Sequence, residues 1–439
     1  MSDTTLWVAI IGAGPAGYYT AEALTKNSDN AKVNVRVDII DRLPTPYGLI
    51  RAGVAPDHQS IKNVSKRYEA TNNQDNVRFV GNLALGRDIT LKELQTLYDV
   101  VILATGAPND RELGVEGEKL NGVIGASAFV GWYNSHPDYV DLSPELKVPS
   151  VAVIGNGNVA IDVARILAKT AKEMQETDLA DHAAKDIHSS SIKDIYILGR
   201  RGPLEASFTP KEMSELNDLE NCVALVKADQ LPPEDIDGDL KGPAKKNMMF
   251  LRKMANNTPD MKPVRLHLMF YRRPMAILGH DRVCGIRLEH TKVDSNGKCT
   301  GLGDSEVLPA ELIVSCIGYK SSPIEDVAFD TSLGRYISDD GLISDRLYCV
   351  GWARRGPTGT IGTNKPDGNA IAAKIIDEIK PQGREGRAGL DRLAKERDLS
   401  LVTFKDWKKI EAAEEEAAAD NHPRSKFTDI EHMVKIAES

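Results

Sequence analysis

Several strand-length runs of this chain are apolar at every position instead of alternating with polar residues, and the two clearest each stop at a glycine-rich turn. Residues 8–11 (VAII) lead into Gly12, and residues 150–154 (SVAVI) lead into Gly155. A strand apolar on both faces fits the middle of a parallel sheet that helices cover on both sides. Beyond the second turn the period changes, with Val159, Val163, Ile166 and Leu167 recurring at helical spacing. The pattern predicts two strand-turn-helix units a domain's length apart. Further strands are predicted over residues 33–40, 98–103, 194–198 and 312–316, with an apolar-faced helix through Ala370, Ile371, Ile375, Ile376 and Ile379. Residues 227–263, rich in Asp, Lys, Pro and Asn, read as a surface excursion. The charged helix over residues 407–419 reads as a solvated face carrying Glu414, Glu415 and Glu416.

The chemistry of the turns narrows the picture. In the first, Gly12 allows a sharp exit from the strand, Gly14 removes the Cβ that would block a pyrophosphate, and Gly17 lets the helix lie against the sheet; Pro15 and Ala16 complete the turn. Backbone N–H groups and the helix dipole would face the phosphates. The next strand ends at Asp41, an acid placed roughly 20 residues on, as ribose recognition in an adenine dinucleotide requires. In the second turn, Gly155, Asn156, Gly157, Asn158 and Val159 repeat the logic, with Ala160 where the first has Gly17. The strand that follows it ends not in an acid but in Arg200 and Arg201. Paired guanidinium donors suit a ribose 2′-phosphate, so NADPH is expected over NADH; alone, Arg-Arg-Gly-Pro would pass as an ordinary solvated turn.

The strands over 98–103 and 312–316 bracket the second turn, as an insertion needs. The expected fold is α/β, with two Rossmann-like dinucleotide-binding domains. An FAD domain is built from residues 1–107 and 320–439, the latter with a C-terminal helical extension, and an NADP domain over 108–319 is inserted into it. A length of 439 residues with 41% hydrophobic and 27% charged residues accommodates this in an ordinary folded protein. The net charge of −9 argues against general nucleic-acid binding. Five scattered cysteines, Cys222, Cys284, Cys299, Cys316 and Cys349, include no C-x-x-C pair. That disfavours a disulfide framework, a metal or iron–sulfur site in this chain, and a dithiol relay; the thiols are expected to be buried and reduced. No targeting extension precedes the first strand and no apolar run reaches membrane-spanning length, so a cytoplasmic location is expected.

Four longer motifs add a family resemblance. PTPYGLIRAGVAPDH (44–58), GNGNVAIDVAR (155–165), GRRGP (199–203) and VGWARRGPTGTIGTN (350–364) together resemble the adrenodoxin reductase-like ferredoxin–NADP reductases, the bacterial members in particular. The likeness spans nearly the whole chain. It implies that Gly359, Thr360 and Ile361, with the helix after them, cover the flavin ring, where the positive helix end can stabilise charge on the reduced flavin. It implies that Trp352 lies on or near that ring, and it adds Leu49 and Leu83 to the flavin-binding set. His58 and Glu215 fall at positions near the nicotinamide and flavin, with the work of orienting the nicotinamide and moving a proton. Glu212 falls where the family contacts the NADP ribose, and Arg111 is a further NADP contact.

The resemblance implies a ferredoxin–NADP+ reductase: hydride from NADPH to the flavin, then single electrons to a ferredoxin or similar acidic iron–sulfur protein. Asp41 departs from the glutamate common in the family, shortening the reach to ribose by one methylene. Other readings are an NADPH-dependent flavin monooxygenase, for which no substrate pocket is identified, and a non-catalytic FAD- or nucleotide-sensing interaction protein. An iron–sulfur oxidoreductase subunit would need cluster cysteines near the start, where this chain has none.

Overall fold

The computed structural model describes residues 5–31 and 33–439; the expectation about a leader rests on residues 1–4, outside them. The chain divides into two units. The first runs to Asn109, takes in Asn134–Pro137 and resumes over Tyr319–Ser439, and the second holds Asp110–Tyr133 and Asp138–Gly318. The short return at 134–137 has no periodic signature; Asn134 is held in the first unit by the Lys426 ammonium, which donates to its Oδ1 at 3.4 Å.

The first unit is built on a seven-stranded sheet. Across it lie Leu342–Ser344, Leu347–Cys349, Val100–Leu103, Thr5–Ile11, Asn34–Ile40, Val77–Gly81 and Val402–Thr403. The central five are parallel and both edge pairs are antiparallel. Successive residues of Thr5–Ile11 face opposite sides: Val8 and Ile10 join the core under helices Pro15–Ala31 and Asn364–Glu378, while Ala9 and Ile11 join the core with Leu94 and Leu390. Both faces are dry, which is why this strand shows no polar alternation. The inward stripe of Asn364–Glu378 is Asn364, Asp367, Gly368, Ile371, Ala372 and Ile375; Ala370, expected on the apolar face, is exposed. Gly368 is the contact point with the first helix, because a Cβ there would lie 2.9 Å from the Thr20 backbone nitrogen.

The second unit is built on a six-stranded parallel sheet in the order Val123–Gly125, Leu312–Ser315, Ser150–Ile154, Asp194–Leu198, Val264–Met269 and Cys222–Val226. A three-stranded antiparallel sheet of Arg272–Gly279, Val283–Val293 and Cys299–Pro309 is inserted in the chain between its strands Val264–Met269 and Leu312–Ser315. The stretch 227–263 is more than a surface excursion: helix Gly242–Ala255 buries Met248, Leu251 and Met254. Its apolar residues recur at three-residue steps among lysines, and the lysines dominated the sequence pattern. Among the described residues no helix is long and apolar enough to cross a membrane.

Candidate nucleotide turns and active-site residues

The first turn is shaped by what its glycines lack. Gly12 has φ +115°, and a Cβ there would sit 2.4 Å from the Ala104 carbonyl oxygen; at Gly17 it would sit 2.1 Å from the Gly12 oxygen. Those two positions pack backbone on backbone. Gly14 differs, because a Cβ there would meet nothing within 4 Å, so the missing side chain leaves open space at the start of helix Pro15–Ala31. Asp41 closes the turn from below: its carboxylate accepts from the Ala13 N–H at 2.8 Å and from the Leu43 N–H at 3.0 Å. Desolvation there holds the carboxyl above its ordinary value, against the pull of the Leu43, Ala13 and Arg42 N–H groups.

The 44–58 segment is fastened beside this turn. The Tyr47 N–H donates to the Ala13 carbonyl at 2.8 Å, and a Cβ on Gly48 would come within 3.0 Å of the Gly14 Cα. Leu49, 46% exposed, opens the short helix Leu49–Ala52. His58 is buried and caps helix Gln59–Lys62, its carbonyl accepting from the Ile61 N–H at 3.0 Å. Leu83 lies inside the core, so only its backbone is available to a ligand; its N–H donates to the Asp41 carbonyl at 2.9 Å.

The 350–364 loop is braced by one buried carboxylate. Asp367 accepts from the Gly351 N–H at 2.6 Å and pairs with Arg354 at 2.5 Å and Arg355 at 2.7 Å. The Trp352 indole donates to the Thr358 carbonyl at 3.2 Å, and its ring stacks on Tyr319 at 6.1 Å. Gly359 and Thr360 are left exposed, and Ile361 half-buried, at the entrance to the Asn364–Glu378 helix. The chain thus offers backbone at a positive helix end.

In the second unit, Gly155 has φ +146° and approaches Cys316 so closely that a Cβ would lie 2.4 Å from its carbonyl oxygen. Gly157 caps helix Asn158–Ala168, which begins at Asn158 and Val159. Asn156 and Asn158 are structural as well. The Asn156 carbonyl accepts from the Ser207 N–H at 2.9 Å, and the Asn158 side chain accepts from the Thr209 N–H at 2.8 Å. Arg200 and Arg201 follow strand Asp194–Leu198, both exposed, and neither guanidinium has a carboxylate partner among the described residues. Two adjacent cations without internal partners at the tip of the strand after a glycine turn form an anion-ready feature.

Glu212 and Glu215, on helix Pro210–Glu215, are drawn together by Arg165, whose guanidinium is fully buried. It reaches Glu212 at 2.8 Å, Asp162 at 2.8 Å and Glu215 at 3.3 Å. Glu212 is only 5% exposed, where sequence alone read a helix surface unless a family role is granted. Arg165 carries a signal legible in the sequence, a charge on the buried face of an otherwise apolar helix. Arg111 is fixed through its backbone, its N–H donating to the Gly318 carbonyl at 3.0 Å.

Two further expectations need correction. Cys222 and Cys349 are buried, and burial pushes their thiols up to about 12 and about 11, but Cys284 is exposed and Cys299 and Cys316 are half-buried. Glu414, expected on a solvated face, is fully buried and ion-paired to Arg51 of the 44–58 segment. Its partner lies 363 residues away, beyond any helical pattern.

Comparison with known proteins places this geometry. Residues 7–212 match the family model described as pyridine nucleotide-disulphide oxidoreductase. The chain is 40% identical to the NADPH-ferredoxin reductase FprA of Mycobacterium leprae, over 98% of each chain. It is 38% identical to the mitochondrial NADPH:adrenodoxin oxidoreductase of Arabidopsis thaliana, over 99% of this chain and 96% of that one. Its fold is similar to that of Mycobacterium tuberculosis FprA in complex with NADPH, with TM-score 0.94, 36% identity, and coverage of 99% of this chain and 100% of that one. With likeness of this extent over the chain, joined to glycine turns that each follow a parallel strand of one of two sheets, the chain belongs to the adrenodoxin reductase-like NADPH–ferredoxin reductase family.

Proposed function

We propose that the first unit holds FAD, that the second holds NADPH, and that the chain is a ferredoxin–NADP+ reductase serving a one-electron iron–sulfur carrier. The observation that carries the nucleotide choice is the exposed Arg200–Arg201 pair beyond the second glycine turn, without a carboxylate partner among the described residues. Relatives named for NADPH together with ferredoxin or adrenodoxin support the rest. The residues present fit both groups: the space left by Gly14 would take a pyrophosphate at a helix start, and the backbone of exposed Gly359 and Thr360 and half-buried Ile361 would take the edge of an anionic ring.

Bound FAD supplies the exchange between two-electron and one-electron chemistry. The protein's part is positioning. Pro15, Ala16 and the N–H groups after them would orient the pyrophosphate, Asp41 would accept from the ribose, and Arg200 and Arg201 would fork the 2′-phosphate. Glu212, held by Arg165, presents a fixed acceptor toward the NADP ribose, and Arg111 adds a donor. Trp352, Leu49 and the Leu83 backbone would border the ring. His58 and Glu215 orient the nicotinamide and move a proton at the imidazole nitrogen and carboxylate oxygen. A ferredoxin, or a similar acidic iron–sulfur protein, is the partner this reading names, in the cytoplasm and with no nucleic acid involved.

The test is spectroscopic. Purified protein is yellow, loses its colour with NADPH much faster than with NADH, and regains it on adding an oxidised ferredoxin. Bleaching that needs an organic substrate would favour a monooxygenase, and no bleaching with either nucleotide would favour a sensor.

A further inference from the structure

The Arg200–Arg201 turn is held almost entirely through its backbone. The Gly199 N–H donates to Met269 and its carbonyl accepts from the Arg272 N–H, both at 2.9 Å; the Arg201 carbonyl accepts from the Tyr271 N–H at 3.1 Å. The Gly202 N–H donates to the Glu205 carboxylate at 3.0 Å. At the Arg200 carbonyl the arrangement differs. It accepts the Thr291 hydroxyl at 2.7 Å and the Cys299 thiol at 3.0 Å, both from the antiparallel sheet. Thr291 is only 4% exposed, so its hydroxyl has no water to turn to, whereas the guanidinium it steadies is in solvent.

We propose that Thr291 is a positioning residue for discrimination between NADPH and NADH. Its hydroxyl fixes the peptide that carries Arg200, and so sets the direction in which both guanidinium groups leave the turn. Arg200 and Arg201 have no carboxylate among the described residues to orient them, so peptide orientation is what pre-arranges the pair for a phosphate. The three-stranded sheet thereby serves the specificity of a turn on the neighbouring parallel sheet. This inference rests on the reading that the two arginines take the 2′-phosphate.

The experiment measures binding of adenosine 2′,5′-bisphosphate and of 5′-AMP by calorimetry, on FAD-loaded protein and without turnover. Thr291→Val, near in shape but without the hydroxyl, is expected to weaken the bisphosphate roughly three- to tenfold, the worth of one lost hydrogen bond, and to leave 5′-AMP unchanged. Thr291→Ser keeps the donor and restores affinity. Cys299→Ala, at a half-buried site, gives a smaller loss in the same direction, since a thiol is a weaker donor, and carries the test should the valine variant not fold. Unchanged bisphosphate affinity in Thr291→Val and Cys299→Ala, beside a clear loss in Arg200→Ala/Arg201→Ala, overturns this inference alone. Equal losses for both nucleotides, or for Val and Ser alike, overturn it as mere packing. No loss in the double arginine variant overturns the 2′-phosphate reading itself.

Discussion

Breaking the Arg51–Glu414 pair should loosen the segment that carries the flavin-family motif. Glu414 is fully buried and Arg51 is 10% exposed; the two carboxylate oxygens face the two terminal guanidinium nitrogens, one of the contacts at 2.8 Å. The Phe427 N–H donates to the same carboxylate at 2.8 Å, and Lys426 donates to the Arg51 carbonyl at 3.0 Å. Arg424 stands 3.9 Å away. Glu414→Met therefore leaves a half-caged guanidinium among two other cations and an N–H without an acceptor. Removing one partner of a buried pair costs about 3–5 kcal/mol. Arg51→Met/Glu414→Met removes both charges, and apart from the Arg51 contact over buried Trp407 at 5.2 Å, worth about 2 kcal/mol, it should lose less than Glu414→Met alone. The readout is amide exchange in helix Phe404–Glu416 and over residues 44–58, which reports local opening even if the two units unfold separately. Protection should fall in both segments with Glu414→Met and return in part with the double variant. If the double variant is as unprotected as the sum of its singles, the pair is not coupled and the reasoning fails.

The remaining predictions concern the turns and the titratable groups. Gly14→Val should lower FAD affinity by tenfold or more while leaving apo-protein stability within about 0.5 kcal/mol, because its side chain enters open space; Gly17→Ala should destabilise the apo-protein by at least 1–3 kcal/mol, roughly the cost of overpacking, because its Cβ meets backbone oxygen. Dye-monitored melting with FAD titration separates the two, and equal behaviour would contradict the assignment of space. Asp110, whose carboxylate accepts from the Ser127 N–H at 2.9 Å, is raised to about 6 by burial. A raised acid binds its proton more tightly when folded, so its contribution is present below the unfolded value and is lost as pH rises through about 6. The stability of wild type relative to Asp110→Asn should therefore decline from about pH 4 to 7 and then level off; a constant difference would refute the shift. His58→Ala should slow flavin reduction or change its pH profile while FAD stays bound, and an unchanged stopped-flow rate would return His58 to a capping role.

What the sequence made legible is what is local in it. Gly12, Gly14 and Gly17 fall within a few residues of one another, so spacing alone implied strand, turn and helix, and Arg200 and Arg201 stand at a strand end that periodicity located. The unseen parts are pairings across distance. Glu212 looked like helix surface because Arg165, which buries it, is 47 residues away. Glu414 sat in an acidic run that any helical pattern assigns to solvent, and partners distant in sequence, Arg51 first among them, make it interior. The 227–263 stretch misled in the same direction, since its lysines and prolines concealed the buried Met248, Leu251 and Met254 stripe. The close helix contact at Gly368 leaves no trace in the sequence except a missing side chain.

The most direct test of the central claim mixes NADPH-reduced protein with an oxidised ferredoxin, without oxygen, and follows both chromophores in one stopped-flow record. The account predicts that both electrons of each NADPH are recovered as singly reduced carrier, and that NADH supports the same transfer far more slowly. Flavin that is reduced by NADPH yet holds its electrons in the presence of every iron–sulfur carrier offered, and gives them up only with oxygen and an organic substrate, would contradict it.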